Sequence, residues 1–308
     1  MNPNGYLTSA YGVRMPPIIY GTAWKQERTA SLVEQAIGLG FRGIDTACQP
    51  KHYNEAGVGN GIAASLQRGV NRTELYLQSK FTPLDGQDPK RVPYDTKASL
   101  GEQVAQSFQT SLKNLQTTYL DCLILHSPLA SPPQLQEVWQ AMEQIYHTGG
   151  AKQLGISNCY APQQLQLLYH NATVKPAVVQ NRFYAETQCD HTIRDFCQQE
   201  QIIYQSFWTL TGNPKVLAHT TLQTLAAKYQ RSVAQVFFCY LHQLGIIPLT
   251  GTTSEAHMQD DLAITDFELT AAECKAIEAL LCWTKPLSRR KNQDTTNLLS
   301  LRLFRKKT

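Results

Sequence analysis

Eight apolar, β-branched runs of strand length alternate with amphipathic stretches along this chain, and that alternation restricts its fold more than any other feature. The runs are Pro17–Gly21, Arg42–Thr46, Leu75–Lys80, Cys122–His126, Gln153–Ser157, Ala177–Asn181, Ile202–Ser206 and Gly245–Thr250. Between them, stretches such as Thr96–Leu115 and Gln134–Tyr146 carry apolar residues at helical spacing. Repeated βα units with near-continuous apolar strands imply a parallel sheet, and eight of them imply a closed barrel. The expected class is therefore α/β, a single (β/α)8 TIM barrel. No Gly-rich GxGxxG follows the first run, which argues against a Rossmann fold. At 308 residues the chain is long enough for one such barrel, which typically takes about 250 residues. No linker-like composition interrupts residues 16 to 284, so the reading is a barrel domain over 1–284 and a basic tail over 285–308.

Charge separates those two parts. Residues 285–308 hold eight Lys/Arg and one acid, Asp294, a net +7 in a chain whose total is +4, so the preceding residues carry −3. Basic tails bind anionic lipid or nucleic acid in some proteins; here the tail is read as a solvated end, with no nucleic-acid and no membrane partner. No apolar stretch approaches the roughly 20 residues that span a bilayer. Met1–Tyr6 lacks the basic region and apolar core of a secretory signal. The eight cysteines show no paired CxxC spacing. They read as reduced structural thiols in a cytoplasmic protein, with no disulfide framework and no metal site.

Four segments each place one polar residue beside an apolar run. They are Gly43-Ile44-Asp45-Thr46-Ala47, Lys51-His52-Tyr53-Asn54-Glu55, Leu75-Tyr76-Leu77-Gln78-Ser79-Lys80 and Asp121-Cys122-Leu123-Ile124-Leu125-His126. In a (β/α)8 barrel, polar residues at the C-terminal strand ends face the active-site mouth. A phenol with a pKa of about 10 is a poor acid at neutral pH, and an ammonium beside it favours the phenolate. A carboxylate holds the ammonium, and an imidazole hydrogen-bonds the acceptor oxygen. Asp45, Tyr53, Lys80 and His126 thus form a candidate set for delivering one proton to a carbonyl oxygen. Nothing in the set supplies electrons, so a cofactor must bring the hydride.

In order along the chain, these segments, with Gly155-Ile156-Ser157-Asn158, Pro176-Ala177-Val178-Val179-Gln180 and Ile247-Pro248, resemble the aldo-keto reductase family from about Pro16 to Leu280. The resemblance implies a (β/α)8 barrel whose bottom is closed by a hairpin, here Tyr6–Arg14. It also implies NAD(P)H-dependent reduction of an aldehyde or ketone with a tyrosine as general acid. The partners are then a small-molecule carbonyl substrate and NADP (NADPH), with NAD as an alternative, in a monomer or weak dimer. The tyrosine position is shifted: the family shows Asp, then Tyr five residues later, where this chain has Pro50. Anchoring on Asn54-Glu55 would put His52 in the tyrosine's place; anchoring on the chemistry puts Tyr53 there, and Tyr53 is the residue adopted.

The same resemblance implies that Ser157, Asn158 and Gln180 hold the nicotinamide carboxamide, and that Thr22, Ser206, Phe207, Thr250, Gly251, Thr252 and Asp261 line the rest of the cofactor site. Gln205 stands where the family commonly stacks an aromatic ring on nicotinamide, so a polar contact replaces the stacking or Phe207 takes it over. Leu249 stands at the position of a phosphate-reading Lys and His257 nearest that of an Arg, which implies weakened discrimination between NADPH and NADH. Trp24 and Trp208, with His126, are the expected substrate walls. Two other functions compete with the reductase: a nicotinamide-binding redox-sensing regulatory subunit with little turnover, and an isomerase using the same Tyr-Lys pair.

Overall fold

The computed structural model describes residues 5–281, so the proposed tail, 285–308, lies outside the described residues. An antiparallel pair, β1 (Leu7–Thr8) and β2 (Arg14–Met15), precedes a closed barrel of eight parallel strands. These are β3 (Ile19–Gly21), β4 (Gly43–Asp45), β5 (Tyr76–Phe81), β6 (Cys122–Leu125), β7 (Leu154–Ser157), β8 (Val178–Arg182), β9 (Ile203–Phe207) and β10 (Ile247–Thr250). They follow chain order around the barrel, and β10 closes it by pairing with β3 and β9. Every run read as a strand is one, with ends displaced by a few residues. His126 falls just beyond β6, its N–H donating to the Phe81 carbonyl at 2.8 Å.

Two apolar layers hold the barrel. Outside, the helices pack on the strands; inside, Met15, Ile19, Tyr76, Ile124, Val178, Ile203 and Ile247 fill the lower half. Met15 and Val13 come from the hairpin, which therefore plugs the N-terminal end as expected. Higher up, the interior turns polar: Gln78, Gln180 and Gln205 are all buried there. Buried amides require partners, and these three find one another and Asp45, as described below.

Three helices set the geometry near the site: α1 (Thr29–Leu39), α2 (Glu55–Gln67) and α3 (Leu100–Leu115). Helix α3 starts later than the sequence pattern, at Leu100, because Ser99 and Glu102 form a capping box. Helix α2 is glycine-rich where its neighbours come close. A Cβ on Gly59 would lie 2.0 Å from the Asn114 carbonyl oxygen, and one on Gly61 would lie 2.6 Å from that of Ala30. The missing side chains let α2 sit against both α1 and α3, which fixes the position of its N-terminus. Asn54 caps that terminus, accepting from Gly57 N–H at 2.9 Å. Tyr53 is the residue immediately before the cap.

Candidate active site

Asp45 ends β4 and Lys80 lies within β5, both inside the upper barrel and both buried. The Lys80 ammonium donates to Asp45 Oδ1 at 2.6 Å, to Asp45 Oδ2 at 2.8 Å and to the Thr46 carbonyl at 2.8 Å. Its three protons are thereby engaged. Asp45 Oδ1 also accepts from the amides of Gln78 at 2.7 Å and Gln180 at 3.0 Å. A buried ion pair survives only with such additional hydrogen bonds, because desolvation opposes both charges. Burial pulls the Lys80 pKa down, and Asp45 opposes that shift.

Tyr53 completes the cluster. Its ring centroid lies 5.3 Å from Lys80 Nζ and 5.9 Å from the His126 ring, at an interplanar angle of 70°. His52 is placed elsewhere: its ring lies on Trp24 with centroids 3.9 Å apart. The sequence expectation of a lowered tyrosine pKa is not met. Burial pushes the Tyr53 phenol up, and the Asp45 charge pushes in the same direction. His126 is held well below its ordinary value, by burial first and then by the Lys80 charge, so its ring is neutral. Its Nδ1 lies 2.6 Å from the Thr82 hydroxyl. With Thr82 donating to Nδ1, Nε2–H is the ring's remaining donor.

A cavity of about 850 Å³ opens over these groups. It is lined by Asp45, Tyr53 and His126 and runs past Ser157, Asn158, Gln180 and Phe207 to Thr250, Gly251, Thr252 and Asp261, with Trp24 and Trp208 on its walls. Both tryptophans are exposed, at 67% and 46%. Three wall residues hold left-handed backbone without being glycine: Trp24 at φ 63°, Asn158 at φ 53° and Trp208 at φ 59°. Such conformations concentrate at functional sites because surrounding structure must enforce them.

Lys80 sits beneath the cavity rather than on its wall, and three residues expected at the cofactor do not line it either. Gln205 is fully buried in the barrel interior, bonded to Gln78 at 2.9 and 3.0 Å, so it cannot present a face to a nicotinamide ring. Phe207, two residues later on the same strand face, lines the wall instead. Thr22 is buried with its hydroxyl on the Asp45 carbonyl at 2.8 Å, and Ser206 is buried against Thr209 at 3.1 Å. Several wall residues were missed by sequence reasoning, among them the cations Lys25 and Arg182 and the polar Thr209, Ser232 and Asp260. Lys25 donates to the Gly251 carbonyl. Arg182 follows Gln180 by two positions, and that period-two spacing was the available signal.

The remaining polar groups have a definite sense. Both amide protons of Gln180 are committed, to Asp45 Oδ1 at 3.0 Å and Gln205 Oε1 at 2.9 Å, so its carbonyl oxygen is the free end. Ser157 donates to the Gln180 backbone carbonyl at 2.7 Å. The Thr250 hydroxyl donates to Asp261 at 2.6 Å, whereas that of Thr252 accepts from Ser254 N–H at 3.1 Å and keeps its proton. Asp261 is pushed up to about 6 by burial, with Thr250 opposing. The arrangement offers a neutral phenol and an imidazole donor at one end and hydroxyls with a lysine at the other.

Known proteins share this barrel. A family model, the Aldo/keto reductase family, matches residues 17–281. Glyoxal reductase of Bacillus subtilis is 32% identical over 273 residues, covering 87% of this chain and 90% of that protein. The crystal structure of an aldo/keto reductase from Brucella melitensis superposes with a TM-score of 0.76 at 29% identity, over 89% of this chain and 98% of the other. An aldo-keto reductase of the silkworm Bombyx mori, in complex with NADP, gives a TM-score of 0.74 at 26% identity over 89% and 92%. This chain belongs to the aldo/keto reductase family.

Proposed function

We propose that this protein reduces an aldehyde or a ketone to the alcohol with NADPH, with Tyr53 as the proton donor. The observation that carries this reading is the convergence of the Tyr53 phenol and the His126 ring on one end of the cavity, backed by the Lys80–Asp45 pair. The relatives named glyoxal reductase and the silkworm enzyme bound to NADP support it.

The wall fits a nicotinamide dinucleotide. The free Gln180 oxygen suits a primary amide's N–H, and Phe207 offers the aromatic surface that Gln205 does not. At the far end, Thr252 and Lys25 are the donors for phosphate, Lys25 supplying a charge that Leu249 does not. When bound there, NADPH would supply the hydride for the new C–H bond.

The chain's own residues do the rest. His126 Nε2–H orients the carbonyl oxygen by a hydrogen bond. Tyr53, protonated at neutral pH, delivers its proton to that oxygen as negative charge develops there. Lys80 remains on Asp45 throughout, so a cation always backs the phenolate that results. Trp24 and Trp208 cover the apolar body of the substrate.

The test is NADPH consumption on adding benzaldehyde, followed by absorbance, for wild type and Tyr53→Phe. Wild type should turn over, and Tyr53→Phe should lose turnover while binding NADPH within a few-fold. A fully active Tyr53→Phe variant, or a wild type that binds NADPH without turnover, would overturn the reading.

A further inference from the structure

Among the described residues Arg182 has no carboxylate within ion-pair distance, although it stands on the cavity wall. The strand pleat explains its position. Asn181 points outward, bonded to Cys159 and Asp190, so Gln180 and Arg182 share the inner face of β8, with Arg182 nearer the mouth. Its guanidinium carbon lies 5.3 Å from the centroid of the Trp208 ring. Trp208 is itself braced by Tyr184, edge-on at 5.7 Å.

A chain of bonds ties this corner to the proposed reacting end. Arg182 N–H donates to the Tyr160 hydroxyl at 3.2 Å, that hydroxyl donates to Asn158 Oδ1 at 3.2 Å, and Asn158 Nδ2 donates to the His126 carbonyl at 2.8 Å. Lys25, the other cation of the wall, is bonded to Gly251. The cavity therefore has a guanidinium without an acidic partner on the His126 side, held over the Trp208 ring.

We propose that Arg182 selects carbonyl substrates that carry an anionic group, an oxo acid whose apolar body rests on Trp208 while its carboxylate meets the guanidinium. A planar guanidinium matches a carboxylate with two parallel N–H bonds, and the cation–π contact with Trp208 keeps it in place before binding. A cation at the edge of an apolar cleft also raises the local concentration of anions. This inference rests on the reductase reading above. A phosphate of the dinucleotide has the same chemistry as a substrate carboxylate, so the experiment must separate the two.

The experiment compares 4-carboxybenzaldehyde with benzaldehyde, using NADPH, for wild type, Arg182→Leu and Arg182→Lys. Wild type should favour the carboxylated aldehyde. Arg182→Leu should cut the ratio of the two kcat/KM values about tenfold, about 1.4 kcal/mol, mainly through KM of the carboxylated compound. Arg182→Lys should keep most of the preference. NADPH dissociation constants, read by fluorescence, should move far less than the ratio. An unchanged ratio overturns the proposal; so does an equal loss on both aldehydes accompanied by weakened NADPH binding, which assigns Arg182 to the cofactor's phosphates. If neither aldehyde is turned over, the reductase reading fails instead. Quenching of tryptophan fluorescence by benzoate then still decides, since it should weaken about tenfold in Arg182→Leu and an equal response in both proteins overturns the inference.

Discussion

Lys80 gives all three of its ammonium protons to Asp45 and the Thr46 carbonyl, at 2.6 to 2.8 Å, while its Nζ sits 5.3 Å from the Tyr53 ring. Its role towards the phenol is therefore that of a fixed charge at a distance, held by a carboxylate that is itself held by Gln78 and Gln180. Lys80→Met removes that charge and leaves Asp45 buried without its cation. We expect kcat to fall about 10²-fold or more, and stability to fall by about 3–5 kcal/mol. Asp45→Asn should act in the same direction but more mildly. Steady-state rates and thermal melts measure both; an unchanged rate in Lys80→Met would sink the mechanism.

The pH profile follows from the directions of two shifts. The raised Tyr53 phenol keeps its proton to higher pH than an ordinary tyrosine, and the lowered His126 ring stays neutral to lower pH than an ordinary imidazole. Reduction should therefore run at a flat rate from about pH 6 to 9, bounded by the ordinary imidazole and phenol values. A profile of kcat that declines with an apparent pKa below about 9 would contradict this.

His52 stacks on Trp24 at the rim, and Tyr53 faces the cluster. His52→Phe preserves an aromatic partner for Trp24, so turnover should stay within a few-fold of wild type. Loss of activity in His52→Phe beside a competent Tyr53→Phe would exchange the two roles.

Cofactor preference should be governed at the far end. With Leu249 where the family resemblance expects a lysine, NADPH should be favoured over NADH only modestly. Leu249→Lys should tighten NADPH by roughly tenfold, about 1.4 kcal/mol, without helping NADH. Asp261 adds a pH dependence: its value of about 6 means that it gains negative charge as pH rises through that range. NADPH affinity should weaken from pH 5 to 7, and Asp261→Asn should flatten the change. Fluorescence titrations over pH decide both, and a wild type that prefers NADPH by several orders of magnitude would show that other residues read the phosphate.

Gly59→Ala tests how α2 is seated. The added methyl would lie 2.0 Å from the Asn114 carbonyl, a backbone atom that cannot rotate away. Overpacking of this kind costs about 3 kcal/mol, which should lower Tm by roughly 5–10 °C. Activity should fall as well, because Tyr53 immediately precedes the Asn54 cap of α2. A melt within a degree of wild type would mean that α2 shifts freely.

The sequence by itself determined the barrel. Strand and helix periodicity are local properties, so eight apolar runs in alternation sufficed to place every strand, and Asp45, Lys80 and His126 with them. The tertiary structure decided what local pattern could not carry. Tyr53 rather than His52 meets Lys80 because α2 and its Asn54 cap set the loop's orientation. Gln205 is withdrawn from the cavity by a partner 127 residues away, Gln78, which only barrel closure brings within reach. The phenol's pKa moved up because the fold buries Tyr53 beside the Asp45 charge, and Lys25 and Arg182 became wall residues beside neighbours in the loops after β10 and β9, Gly251 and Trp208. Burial and long-range pairing depend on where the chain returns, and a single sequence fixes that only through the folded packing.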